Sequence, residues 1–304
     1  MAATDALNTT LNAPFIPTLV ANQVLGALGS YLSLGRTVAK DSELVTQQVG
    51  ETINVPKRGA VSSNSLAQNG SVTLQQPSST SVPVTLDMHE EVTIAELDYL
   101  KSVAQGGSSL PGYVEDGVIA LAEEIESDLA ALWASFPVQL DAGGSNPQLD
   151  LIAVRKKFVT NKVPRLATKF GYVSAGFMAK LLEQTPFVNP GIPAGQAPMV
   201  EGAVMKLSGI ELFEGQLVVR SGSPGVDRNM FYTRNAMVLA TRPQPLPEEG
   251  LGAKGANVID GNGIALQVVK SYNASKLANQ ITIHVVWGSA MLDDRQAIEM
   301  DSSY

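Results

Sequence analysis

The feature that most narrows what this chain can fold into is residues 112–136, GYVEDGVIALAEEIESDLAALWASF. Val114, Val118, Leu121, Ile125, Leu129, Leu132 and Phe136 recur every three or four residues, which sets them in one apolar stripe along a helix. Glu115, Asp116, Glu123, Glu124, Glu126 and Asp128 fall mostly off that stripe and give the helix an acidic second face. At about 1.5 Å per residue the helix is roughly 36 Å long, more than a small domain needs. Pro111 suits an early helical position and Pro137 stops the helix. Such an element reads as a spine on which other layers are mounted.

The segments before it are of a different kind. Residues 1 to about 35 alternate polar and apolar patches, broken by Pro14 and Pro17, and read as an N-terminal arm. Residues 50–81 hold a short strand, ETINVPKRG, followed by a tract rich in Ser, Asn, Gln and Gly. Ile53 and Val55, and then Val72 and Leu74, alternate as strand residues do, but the apolar content is too thin for an independent core. A lone two-stranded ribbon is marginal in water. Either this segment is disordered or it lies across a neighbouring molecule that supplies its missing layer. From Val82 to Met88 the alternation is clean, and VTIAELDYLKSV reads as a strand end running into a short helix.

Beyond the spine, Asn146 followed by Pro147 reads as a helix cap and first residue, opening a helix through Phe158. FMAKLLEQ is a second helix, and Pro186, Pro190, Pro193 and Pro198 mark a long loop. Strands are expected in GAVMKLSGIELFEGQLVVR, NMFYTRNAMVLATRP, IALQVVKSY and ITIHVVWGSAM. Strands and helices mix without strict alternation, so the expected class is α+β.

Composition excludes several functions. A net charge of −8 argues against a broad basic face for nucleic acid, and the absence of cysteine removes disulfides and thiolate metal sites. No run of about 18 apolar residues is present, and the first 20 residues do not have the pattern of a signal peptide. No membrane partner and a cytoplasmic site of synthesis are expected. Charged residues make up only 16% of the chain, low for a free monomer, so other copies are expected to cover much of its surface.

Catalytic chemistry is hard to place. His89 and His284, the only histidines, lack metal-ligand spacing. The glycines of GLGAKG, Gly250, Gly252 and Gly255, have neither a strand before them nor a helix after, and read as a loop instead of a nucleotide cradle. Asp87, Glu90 and Glu91, like Asp293 and Asp294, are read as charged edges and turns, with acid–base work the competing reading. The acidic side of the spine is either solvated or turned towards polyanionic DNA. Lys57 and Arg58 are surface charges or donors to a neighbouring copy. No catalytic residue, cofactor or metal is assigned.

The order of elements, together with VPRLATKFGYVSAGFMAKLLEQ, EGAVMKLSGIELFEG, NMFYTRNAMVLATRPQPLP and the closing IALQVVKSYNASKLANQITIHVVWGSAMLDDRQAIEM, resembles a known family. It is that of the major capsid proteins of tailed double-stranded DNA bacteriophages, with the Hong Kong 97-type fold, most similar to the coat-protein group of short-tailed phages. The resemblance implies an N-terminal arm and lead-in over 1–49, an E-loop ribbon over 50–81, a P-domain with the spine over 82–140, an A-domain over 141–244 and closing P-domain strands over 245–304. The A-domain has no room for the inserted domain that some members carry, and the residues of covalent cross-linking cannot be placed.

The resemblance further implies a homo-oligomer of hexamers and pentamers in an icosahedral shell, enclosing DNA without sequence-specific binding. A scaffolding protein and a portal are implied partners, and the virion capsid the final location. Ile53, Val55, Lys57, Arg58, Val72 and Leu74 are the expected inter-subunit contacts. The competing readings are an encapsulin-type shell around a protein cargo, a soluble enzyme using Asp87, Glu90 and Glu91, and a minor structural component.

Overall fold

The computed structural model describes residues 31–40, 52–59, 61–66, 68–76, 79–97, 110–141, 146–184, 205–222, 225–248, 253–259 and 264–303. The first elements are a single helical turn, α1 (Leu34–Thr37), and a two-residue strand, β1 (Ala39–Lys40). An antiparallel ribbon follows, β2 (Thr52–Arg58) with β3 (Ser79–Thr85), and then β4 (Met88–Leu97). The spine is α2 (Leu110–Ala131), continued by a 3-10 turn over Leu132–Ser135. Its stripe is buried as the spacing requires at Val114, Val118, Leu121, Ile125 and Leu129, with Phe136 closing it. Each such side chain contributes about 1.5–3 kcal/mol by leaving water.

What the spine packs against is a six-stranded sheet assembled from distant parts of the chain. Its strands are β1, β4, β11 (Met237–Thr241), β12 (Ala253–Ile259), β13 (Ala265–Asn273) and β14 (Ala278–Met291). β14 organises it. One edge pairs with β4 from Ala278 to Trp287, and the other with β13 and then β11. Ile281, Ile283, Val285 and Trp287, the alternating set in the sequence, all point into the core shared with the spine.

A second sheet of seven strands has its own core. It contains β5 (Gln139–Asp141), β6 (Lys169–Val173), β7 (Met205–Leu207), β8 (Ile210–Glu214), β9 (Arg220–Ser221), β10 (Val226–Thr233) and β15 (Ala297–Ser302). Helices α3 (Pro147–Thr160) and α4 (Ala175–Leu182) cover it, burying Leu151, Val154, Phe158, Phe177 and Leu181. Asn146 caps α3 as expected, its Oδ1 accepting from the N–H groups of Gln148 (3.1 Å) and Leu149 (3.4 Å), with Pro147 first in the helix. The turn between β7 and β8 is a two-residue hairpin at Ser208 and Gly209, both with positive φ.

Two connections differ from the sequence reading. β15 was too short a pattern to be read as a strand, and it lies in the second sheet, pairing with β10 and β5. Of the GLGAKG stretch, Gly255 lies inside β12, because its neighbours complete an unbroken ladder with β13, so the loop assignment is corrected there. Gly250, Gly252, most of the arm, the expected helix after β4 and the proline-rich loop lie outside the described residues.

Candidate assembly surface

The ribbon is rooted in its own chain. Ile53, 2% exposed, and Val55 pack with Val84 and Leu86 against Val238, Ala240 and Val286 of the six-stranded sheet, forming a third small core. One glycine makes the contact possible. A Cβ at Gly288 of β14 would stand 2.0 Å from the carbonyl oxygen of Thr85, so only a residue without a side chain lets the end of β3 lie this close to the sheet. Lys57 reaches from β2 to Asp294 (3.3 Å), an exposed pair.

The far end of the ribbon has no such support among the described residues. Residues 61–66 and 68–76 are exposed throughout and form no strand; Val72 is 75% and Leu74 92% exposed. The sequence reading took Val72 and Leu74 for a strand within the ribbon. The structure corrects this: β2 pairs residue for residue with β3, from Thr52 opposite Thr85 to Arg58 opposite Ser79. A full seven-residue ladder outcompetes two apolar side chains with nothing beneath them. Ser62 and Gln75 tie the two limbs of the loop, the Ser62 N–H donating to Gln75 Oε1 at 3.1 Å. Of the six residues expected to touch neighbours, Ile53 and Val55 are thus covered internally, Lys57 is paired, Arg58 sits opposite Ser79, and Val72 and Leu74 are free in the loop.

The spine's acidic face is divided. Glu115, Asp116, Glu123 and Glu124 are exposed, but Glu126 is only 4% exposed. Its carboxylate accepts from the backbone N–H groups of Leu34 (3.0 Å) and Gly35 (2.9 Å) and from Ser33 Oγ (2.9 Å), holding the turn where the arm joins the body. Burial raises its pKa, and these hydrogen bonds oppose the rise without cancelling it. Two residues on, Asp128 accepts from Trp287 Nε1 (3.2 Å) and Ser289 Oγ (2.7 Å), tying the spine to β14. Reading every acid off the stripe as solvent-facing missed both. No local signal separates them, since Glu115 and Glu124 also sit next to stripe residues and are exposed.

Charges inside the second sheet are likewise structural. Arg228 of β10 bonds Glu299 (2.8 Å) and Asp301 of β15 and Ser221 (2.7 Å) of β9, with its guanidinium 4.8 Å from the ring of Trp133. Burial and then Asp301 raise the pKa of Glu299, opposed by Arg228. Asp293 accepts from Arg295 Nε (3.1 Å), Arg295 Nη2 (2.9 Å) and Gln296 Nε2 (2.8 Å). Burial works against its charge, but these bonds outweigh it and bring its pKa to about 2.

The residues weighed for catalysis do not converge on a cleft. Asp87, Glu90 and Glu91 are exposed at the start of β4 and just before it. His89 and His284 lie with ring centroids 5.5 Å apart across β4 and β14, and His284 Nε2 bonds Gln267 Oε1 at 2.6 Å. Burial, with His89 adding and Glu91 opposing, lowers the His284 pKa. Among the described residues no three His, Cys, Asp or Glu side chains are grouped to hold a metal ion, and no helix is long and apolar enough to cross a membrane.

No family model matches the sequence, and no curated protein does. Solved structures do match the fold over nearly its whole length. The chain is similar to a structure from Mycobacterium phage Che8 at 16% identity and a TM-score of 0.61, covering 86% of this chain and 88% of that one. It is similar to the capsid of Cyanophage P-SCSP1u at 14% identity and a TM-score of 0.62, covering 88% and 86%. The mature capsid of bacteriophage PhiM1 gives 11% identity and a TM-score of 0.60, covering 90% and 88%. The fold is therefore the Hong Kong 97-type fold of phage capsid structures, as the order of elements implied.

Proposed function

We propose that this chain is the major capsid protein of a tailed double-stranded DNA phage, self-assembling into an icosahedral shell of hexamers and pentamers around the genome. The observation that carries the proposal is the ribbon, rooted on the six-stranded sheet and presenting an exposed loop, 61–66 and 68–76, that no described residue of its own chain covers. The capsid folds it resembles support the same reading. In it, Val72, Leu74 and the polar residues around them lie on an adjacent subunit, each contact repeated by symmetry around a closed shell. No catalytic step belongs to this function. A scaffolding protein and a portal are its expected partners, assembly occurs in the host cytoplasm, and the DNA is enclosed without sequence-specific contacts.

Deletion of residues 60–76 tests the proposal. Arg58 pairs with Ser79, so the shortened hairpin still closes and the root is left intact. Electron microscopy should show wild-type shells or rings, while the deletion gives folded subunits that do not assemble. Intact shells from the deletion would refute the role of the loop. Nuclease-protected DNA in particles isolated from infected cells distinguishes a genome shell from a shell around protein cargo.

A further inference from the structure

Charge is distributed unevenly along this chain. Between residues 151 and 182 lie seven of the 21 Lys and Arg and none of the 29 Asp and Glu, so this stretch carries +7 and the remainder −15. Three of the seven gather in space, joined by a fourth cation from β7. Arg155 of α3, Arg165, Lys169 at the start of β6 and Lys206 of β7 line an open cleft of about 770 Å³ with Phe158 and Val163. Glu211 pairs with Lys206 at 3.1 Å, and among the described residues no carboxylate pairs with Arg155, Arg165 or Lys169. Burial and the nearby charge of Arg155 lower the Lys169 pKa, as expected where cations are crowded.

The same face is apolar in a way a charged surface does not require. Leu166, at the cleft's rim, is 100% exposed, and Val159 beside it is also in water. Leu149, Ile152 and Val159 form a second stripe along α3, separate from the buried Leu151, Val154 and Phe158. A phosphate backbone would meet the cations and leave these side chains in water. A protein surface bearing both carboxylates and apolar groups would satisfy both.

We infer that this cleft and the adjoining face of α3 dock the acid-bearing surface of a second copy of the chain. The occupant follows from charge complementarity: the rest of the chain carries a formal −15, and its exposed carboxylates include Glu115, Asp116, Glu123 and Glu124. The contact joins two different patches, a positive one and a negative one. Repeated around an axis, such a two-patch contact is head to tail, and it makes a ring where the rotation closes. The inference rests on the shell reading and specifies one of its ring contacts.

The absence of cysteine makes the test direct. Leu166→Cys, at a fully exposed position, is labelled with benzophenone maleimide and illuminated under assembly conditions. The expected result is a ladder of chain-to-chain products whose cross-linked peptide contains carboxylates, weakened by added salt. Adding Arg155→Glu and Arg165→Glu, both at exposed positions, should reduce the cross-linked fraction about tenfold while leaving the thermal melt unchanged. Shells that assemble normally without chain-to-chain products overturn the docking alone, as do products that are nuclease-sensitive and contain nucleic acid. Chain that is monomeric and uncross-linked in infected-cell lysates as well, where every assembly partner is present, overturns the shell reading with it.

Discussion

Replacing Glu126 with leucine isolates the joint between the arm and the spine. Leucine keeps the bulk and the helix propensity but removes both oxygens that accept from Leu34, Gly35 and Ser33. The Ser33 hydroxyl, part-buried, can turn to water. The two backbone N–H groups are buried and cannot, and each orphaned donor costs about 1–3 kcal/mol. Against this, the variant no longer buries a carboxylate whose desolvation already outweighs its hydrogen bonds. The net loss should therefore be about 2–3 kcal/mol at neutral pH, below the gross sum of the two donors. Urea unfolding followed by tryptophan fluorescence is a suitable assay, because Trp133 and Trp287 are the only tryptophans and both adjoin the spine core. Amide exchange at residues 34–38 should quicken more than exchange elsewhere. The pH dependence supplies a second check. The folded pKa of Glu126 lies above its ordinary value, so the ionised form is the less favoured one in the fold. Its contribution is greatest below the ordinary pKa and is lost as pH rises through the folded one. Wild type should then gain stability at this position on mild acidification, and the leucine variant should not. A variant within about 0.5 kcal/mol of wild type, with unchanged exchange at 34–38, would refute the assignment of Glu126 as the anchor.

Three other perturbations probe the rest of the framework. Leu121→Asp places a carboxylate in the buried stripe and should cost several kcal/mol, so soluble expression at the wild-type level would argue that the stripe is not buried. Gly288→Ala sets a methyl group against the backbone of Thr85 and should cost about 1–3 kcal/mol, with faster amide exchange in β2 and β3 while the second sheet is unaffected. Asp293→Ala should lose about 1 kcal/mol near neutral pH, modest because Arg295 is largely exposed. The folded pKa of Asp293 is depressed to about 2, so that contribution is present above the ordinary value of 3.8 and should fade as pH falls towards 2. A variant whose deficit persisted at that acidity would place the effect elsewhere.

Where the sequence was legible, one physical rule dominated locally. The spine was readable because five buried stripe residues obey a single period, and β14 because Ile281, Ile283, Val285 and Trp287 alternate without interruption. The cap at Asn146 was readable because its partners lie two and three residues away. Long-range partners were not. Nothing near Glu126 in sequence announces Ser33, more than 90 residues distant, and nothing near Gly288 announces Thr85. The ribbon was mispaired for the same reason: Val72 and Leu74 satisfy the local pattern for a strand, whereas the choice of β3 as partner rests on the length of its ladder and the sheet beneath it. The cationic run from Arg155 to Lys180 was visible in the letters, but its meaning depended on exposure, since Leu149, Ile152 and Leu166 look like core residues until they are seen in water.

Glu126 and Gly288 stand at comparable places. Each sits where an extension joins the body: Glu126 beneath the turn that joins the arm to the spine, Gly288 beneath the end of β3 where the ribbon meets the sheet. Each adds a specific short-range contact, a shared carboxylate or a missing side chain, to the apolar burial at that root. The ribbon buries the apolar surface of its root on its parent chain and leaves its far end in water. Its direction has to be fixed at the root, by contacts small enough to leave the distal residues free. The ribbon shows that division within a single hairpin, with Ile53, Val55, Val84 and Leu86 buried at one end and Val72 and Leu74 in water at the other. A fixed root reduces the entropy lost when the loop binds, so in the proposed shell a contact of few apolar residues suffices because it is repeated around every ring.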